Sequence, residues 1–264
     1  MPHTAPPAHV RAAFAVSGAV RYHHGNFGGV WSDGAVVLKS VTNVTETTAM
    51  AELFEQLEVP GVRIPKPLRS LDGAFVVDGW AATTHLDGRR LSGGRWTDRV
   101  MASRALCRAL EDVPRPTFFD TLDHMWARGA RIAWGELDWT PPEQWKAVAA
   151  DLREAAGSVS PPKQLIHGDI AGNILTAPHQ PLGVVDFSPT WESALWSECM
   201  VVTDGLLWFN APDDTVDALV DDEAGPMLCR TTLFRLVVHC LWFGATPPTD
   251  VDDYRRVTDL VISL

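Results

Sequence analysis

The sequence predicts an α+β chain in two lobes: an N-terminal antiparallel sheet with one helix, then a mostly helical C-terminal lobe. Three observations predict it. Short apolar runs broken by glycine-bearing turns fill the N-terminal part, helix-period apolar patterns dominate further on, and one stretch interrupts them. That stretch, Leu165 to Leu175 followed by Val184-Val185-Asp186-Phe187, returns to strand-like apolar runs around a polar turn. A chain of 264 residues is long enough for one large domain or two lobes. The change in pattern sets the lobes at 1–87 and 88–264.

The bulk composition narrows the function classes. Apolar residues are 46% and charged residues 21% of the chain, ordinary globular usage that excludes wholesale disorder. Lys and Arg number 22 against 33 Asp and Glu, a net charge of −11. Such a field repels a phosphate backbone, which argues against nucleic acid as a partner and favours a cationic small molecule. Cys107, Cys199, Cys229 and Cys240 form no Cys-x-x-Cys pair and read as buried thiols. The N-terminus lacks the basic and apolar segments of a secretory signal. The longest apolar run, around Leu236 to Ala245, is shorter than the ~20 residues of a membrane helix. A cytoplasmic protein with no membrane partner is expected.

In chain order, His9 to Val16 suits a short helix, and Ala19 to Tyr22 a strand. Gly25, Gly28 and Gly29 make a glycine-rich tip before Val30-Trp31. Ser32-Asp33-Gly34 is a turn, and Ala35 to Lys39 a further strand. Glycines let backbone N–H groups approach phosphate oxygens, and an ammonium on a neighbouring strand neutralises them. Lys39 in an apolar strand is such an ammonium, because strand interiors otherwise disfavour lysine. Thr45 to Leu57 has Met50, Leu53, Phe54 and Leu57 at helical spacing, with Thr45 or Thr47 as N-cap. Its carboxylates Glu46, Glu52, Glu55 and Glu58 are candidates to hold Lys39. Glu46 shares the apolar stripe, and Glu52 is displaced from it. Val62 to Pro67 is a proline-stiffened link. Leu68-Arg69, Ala74 to Val77 and Gly79 to Thr84 are strands. The linking backbone of Thr84, His85 and Leu86 is where an adenine ring would hydrogen-bond.

Helices are expected over Trp96–Leu110, Asp120–Trp134 and Pro142–Ala156, then Trp191–Asn210, Pro226–Phe243 and Asp250–Leu264. Between them the polar turn gathers His167, Asp169 and Asn173, and Asp186 ends the next apolar run. A carboxylate beside an amide and a second carboxylate orients a hydroxyl and holds a divalent ion on phosphates. The bland alternative is a hairpin whose Asp and Asn only form the turn.

His167-Gly168-Asp169 with Asn173, then Asp186, resembles the signature of aminoglycoside phosphotransferases and their relatives, the choline and fructosamine kinases, within the protein-kinase-like fold. The glycine loop and Lys39 fall in the same order, and the likeness covers nearly the whole length. It implies a kinase using ATP and Mg²⁺ on a small-molecule hydroxyl acceptor. Asp169 would be the base, Asn173 and Asp186 the metal ligands, and Lys39 the α- and β-phosphate contact. Glu46 or Glu52 would position Lys39, and His167 would be structural. The chain departs from the pattern in three places, one being that its helix glutamate is divided between Glu46 and Glu52. Asn173 follows Asp169 by four residues where the family has five, and serine follows Asp186-Phe187 where protein kinases carry glycine. The short loop keeps open a degenerate kinase that binds nucleotide or a partner without turnover. Metal-dependent hydrolysis without ATP is a weaker reading, because it leaves Lys39 and the glycines without a role.

Overall fold

The computed structural model describes residues 4–23, 29–244 and 250–264. It divides into two compact units, Met1–Arg89 with Leu175–Val185, and Arg90–Ile174 with Asp186–Leu264.

The first unit begins with α1 (Ala8–Ala13), β1 (Arg21–His23), β2 (Val30–Ser32) and β3 (Val36–Ser40). α2 (Val44–Gln56), β4 (Val62–Arg63), β5 (Pro67–Leu68), β6 (Val76–Val77) and β7 (Trp80–Thr84) follow. The main sheet runs β1-β2-β3-β7-β5 with β6 on β7, and every pair is antiparallel. Strand alternation decides which side chains meet the core. Leu38 is buried in a cluster with Val10, Phe14, Val16, Trp80 and Ala82. Full burial of a leucine contributes about 1.5–3 kcal/mol. Its neighbour Lys39 therefore turns to the other face, in register with Val30 and Ala81. α2 is capped by Asn43, whose Oδ1 accepts from Glu46 N at 3.2 Å, so the helix begins at Val44, one residue ahead of the expected start. An Asn with extended backbone satisfies the first turn at least as well as either threonine. The expected link at 62–67 contains β4 and β5.

The chain continues with β8 (Arg89–Arg90), α3 (Trp96–Ala109), α4 (Met125–Ala133), α5 (Lys146–Ala155), β9 (Gln164–His167) and β10 (Ile174–Thr176). β11 (Leu182–Val184), β12 (Pro189–Glu192), α6 (Ala194–Trp208), α7 (Ala224–Phe243) and α8 (Val251–Ile262) complete it. A second sheet has the order β4-β11-β10-β8. Its β4–β11 pair is parallel, Val62 opposite Leu182. Arg63 fastens it by donating to Pro181 O at 2.9 Å and Asp87 O at 3.0 Å.

The second unit is built around α7, which packs on α4, α5, α6 and α8. Gly129 lets α4 approach closely, since a Cβ there would lie 2.6 Å from Val238 Cγ2. Arg230 of α7 donates to Ala133 O at 2.8 Å and Ala156 O at 3.0 Å. Its charge thereby serves the carbonyl ends of both α4 and α5. Two expected helices start later than their apolar pattern. His124 Nδ1 accepts from Ala127 N at 3.1 Å and caps α4, while Thr117–Thr121 forms a separate 3-10 turn. Ser193 Oγ accepts from Trp196 N at 3.1 Å and caps α6, leaving Pro189–Glu192 free to pair as a strand. The chain is thus α+β, an N-terminal antiparallel sheet followed by a helical C-terminal region. All four cysteines are buried and unpaired. No helix among the described residues is long and apolar enough to cross a membrane.

Candidate active site

The polar turn is not a hairpin tip. β9 pairs antiparallel with β12, whereas β10 pairs with β11 and β8, so the two apolar runs belong to different sheets. The chain must leave β9 sharply, and Gly168 permits it: its N–H donates to Ser188 O at 2.9 Å. A Cβ at Gly168 would lie 2.2 Å from Thr190 Oγ1, so any larger residue would have to displace that side chain. His167 is fully buried, and its Nδ1 accepts from Asp169 N at 3.2 Å and Ser188 N at 3.4 Å. The ring proton therefore sits on Nε2. Ser197 Oγ donates to His167 O at 2.9 Å and accepts from Ser103 Oγ at 2.8 Å, anchoring the turn to α6 and α3. The Phe187 ring meets His167 edge-on at 5.2 Å. One histidine thus joins the turn at 169 to the turn at 188.

Asp169 keeps 45% of its side chain exposed while Arg235 donates to its Oδ1 at 2.7 Å. Arg235 also donates to both oxygens of Asp204, at 2.7 and 2.6 Å. Arg235 and Asp204 are almost wholly buried. Burial opposes the Arg235 charge, but the two carboxylates outweigh it and hold this guanidinium above the usual range. Burial pushes the Asp204 carboxyl up to about 6, with Arg235 pulling it back. Asn173 donates from Nδ2 to Asp169 O at 2.7 Å, with Asp169 Oδ2 at 3.4 Å. Its Oδ1 accepts from Arg90 Nη1 at 3.1 Å, and the same nitrogen donates to Gly172 O at 2.6 Å. Arg99, buried on α3, donates to Ala171 O. It also donates to Leu91 O at 2.7 Å and Gly94 O at 3.0 Å, and lies over the Trp96 ring. Burial lowers this guanidinium to about 10.

Asp186 is exposed, two residues before the Ser188 that bonds His167. It adopts φ +58°, a left-handed conformation that Asp tolerates better than most residues and that marks constrained positions. The expected metal-ligand pair is chemically apt. Carboxylate and amide oxygens suit Mg²⁺, which in nucleotide sites takes one or two protein carboxylates and fills its shell from phosphate and water. No cluster of three or more His, Cys, Asp or Glu ligands occurs among the described residues.

In the first unit, Lys39 is half-buried on β3. Glu46 lies in the first turn of α2, half-buried, and burial raises its carboxyl above the usual range. Glu52 is exposed. Glu55 and Glu58 are engaged elsewhere, with Arg69 at 2.7 Å and Lys66 at 2.9 Å. Gly29 is buried ahead of β2, while Gly25 and Gly28 lie outside the described residues. The N–H groups of Thr84 and His85 donate to Lys66 O and Ala35 O, each at 2.8 Å, and Leu86 follows. Sequence reasoning passed over Arg90, Arg99, Asp204 and Arg235. A signal was present for the last two: isolated charges in long apolar helices must be paired inside.

The APH phosphotransferase enzyme family matches residues 31–190, and the chain belongs to that family. Among solved structures it is similar to an aminoglycoside phosphotransferase from Alicyclobacillus acidocaldarius, with a TM-score of 0.66 at 12% identity, over 100% of this chain and 96% of that one. It is similar to the amicoumacin kinase hAmiN in complex with AMP-PNP, Ca²⁺ and Ami, with a TM-score of 0.61 at 12% identity, over 92% and 88%. A choline/ethanolamine kinase family protein from Mesorhizobium loti gives 0.57 at 16% identity, over 97% and 92%. No curated protein matches the chain in sequence.

Proposed function

We propose that this chain transfers the γ-phosphoryl group of ATP to a hydroxyl of a small molecule. One observation carries the reading: a partly exposed Asp169 carboxylate, fixed from one side by Arg235 and beside the Asn173 amide, in a chain of the phosphotransferase family. Phosphoryl transfer depends chiefly on positioning and electrostatic stabilisation. Asp169 Oδ2 orients the acceptor hydroxyl and takes its proton as the O–P bond forms. ADP leaves with the electrons of the broken bond. Lys39 neutralises the α- and β-phosphates, with Glu46 as its positioning carboxylate. The glycines at 25, 28 and 29 cover the phosphates, and the backbone at Thr84, His85 and Leu86 receives the adenine. Asn173 and Asp186 hold Mg²⁺, which supplies charge neutralisation on the phosphates. The nucleotide complex of the amicoumacin kinase supports this nucleotide role. Residues 1–87 are then the nucleotide-binding lobe and 88–264 the catalytic and substrate lobe of a cytoplasmic enzyme.

The test is ADP formation against an acceptor panel. Asp169→Asn is expected to lose about 10²–10⁴-fold in transfer while its thermal stabilisation by ATP and Mg²⁺ persists. Retention of the full rate by this variant would refute the role given to Asp169. A second reading has its own observation: the Arg90 guanidinium already occupies Asn173 Oδ1, the oxygen that the metal needs. Stabilisation by ATP with no turnover on any acceptor would favour that nucleotide-binding protein.

A further inference from the structure

Arg235 is shared unequally between two carboxylates. Its Nε and Nη2 donate to Oδ1 and Oδ2 of Asp204 at 2.7 and 2.6 Å, the side-on fork in which a guanidinium covers both oxygens of one carboxylate. Asp169 receives a single bond, from Nη2 to Oδ1 at 2.7 Å. Its Oδ2 meets only the Asn173 amide among the described residues, at the long distance of 3.4 Å, and 45% of the side chain is exposed. The fork is therefore occupied by the buried carboxylate, and the second oxygen of Asp169 stays open.

The surroundings hold this division in place. Asp204 is 2% and Arg235 5% exposed, so neither charge reaches water and each must keep its partner. The guanidinium carbon lies 5.1 Å from the Trp208 ring centre and 5.4 Å from that of Phe234, which restricts its rotation. Two further ionisable groups lie alongside, and both are neutral at neutral pH. Burial pushes the Tyr254 hydroxyl well above its usual range, and burial with the Arg235 charge lowers His239 to about 4. Asp204, pushed up to about 6 by burial, stays ionised there. One guanidinium thus faces two carboxylates, and the charge it leaves unanswered lies on the one that solvent reaches.

We propose that Asp204 is a positioning residue for Asp169: by occupying the Arg235 fork it limits that arginine to one bond on Oδ1 and leaves Oδ2 to the acceptor hydroxyl. The use made of Oδ2 rests on the phosphotransferase reading, whereas the division of the fork stands on the distances alone. Without a carboxylate at 204, the fork turns to the other carboxylate it touches, covers both oxygens of Asp169 and shields the base. Asp204 acts from behind Arg235 and does not itself meet the acceptor.

The test labels carboxylates of the full chain with a water-soluble carbodiimide and glycine ethyl ester at constant pH. Tandem mass spectrometry reads Asp169 against the exposed Asp72 as reference. Asp204→Asn keeps the shape and removes the charge. It is expected to lower Asp169 labelling about tenfold, because charge-assisted bonds then cover both oxygens. Asp204→Glu, which restores the carboxylate, should recover most of the labelling. A merely structural Asp204 gives the opposite sign, since a loosened turn labels faster. Unchanged or raised labelling in Asp204→Asn therefore overturns the proposal. Arg235→Lys serves if Asp204→Asn does not fold: an ammonium without a fork stays with the buried Asp204, and Asp169 labelling should rise about threefold. An unchanged or lower value there overturns the proposal as well. ADP formation with the acceptor panel is measured in parallel. With an acceptor that turns over, Asp204→Asn should lower kcat about tenfold to hundredfold and keep the ATP KM within about twofold, and an unchanged kcat would count against the proposal. The expected labelling pattern with no ADP formed on any acceptor would uphold the place of Asp204 and overturn the transfer reading.

Discussion

The two ends of the loop from Asp169 to Asn173 are held by the same kind of side chain in opposite ways. At the Asp169 end, Arg235 meets two carboxylates and its charge is answered. At the far end, Arg99 and Arg90 meet backbone carbonyls of Ala171 and Gly172, and Arg99 is buried against carbonyl dipoles. The opposite pKa directions of the two buried guanidines record that difference. A carboxylate partner fixes a functional side chain, whereas carbonyl partners fix a backbone path. The three arginines tie the loop to α7, α3 and β8 from outside it.

The comparison breaks most severely at the carboxylate end. Asp204→Ala leaves the Arg235 charge half-answered in the interior, a defect worth about 3–5 kcal/mol. A thermal melt is expected to fall by roughly 6–20 °C, and an unchanged melting temperature would mean that Asp204 is not the anchor. Arg99→Met keeps the apolar stem against Trp96 and removes the carbonyl bonds. At about 0.5–1.5 kcal/mol per net hydrogen bond, a loss of roughly 2–4 kcal/mol is expected in urea unfolding, and no measurable loss would mean that the Arg99 carbonyl bonds do not hold the loop. The smallest effect belongs to the exposed Arg90. Arg90→Ala should leave stability within about 0.5 kcal/mol while freeing Asn173 Oδ1. The Mg²⁺ concentration giving half-maximal ADP formation should then fall about threefold to fivefold, since a like charge near the ion is worth roughly 1 kcal/mol in water. A rise instead would assign Arg90 a supporting role toward the metal.

Local pattern made the α+β architecture legible, because strand alternation and helix period are properties of neighbouring residues. It located the turn at Asp169 and the spacing to Asn173 for the same reason. It did not reveal that β9 and β10 part into different sheets, because pairing depends on β12 and β11, which lie further along the chain. Nor did it join Asp169 to Arg235, 66 residues away, or Ala171 to Arg99, 72 residues away. The start of α6 was misread because Trp191 fits an apolar helical stripe, and only Ser193 as a cap and the pairing of Pro189–Glu192 with β9 fix the boundary.

The parallel β4–β11 pair bears on how the chain matures. Arg63 and Pro181 are 118 residues apart, and at about 5–20 residues per second of synthesis their meeting is delayed by roughly 6–24 s. During that interval β4, which is not a strand of the N-terminal antiparallel sheet, lacks its eventual neighbour and leaves its hydrogen-bonding groups bare. A fragment ending at Arg89 would keep them bare permanently, so the first unit becomes whole only after the loop bearing Asp169 and Asn173 has itself been made.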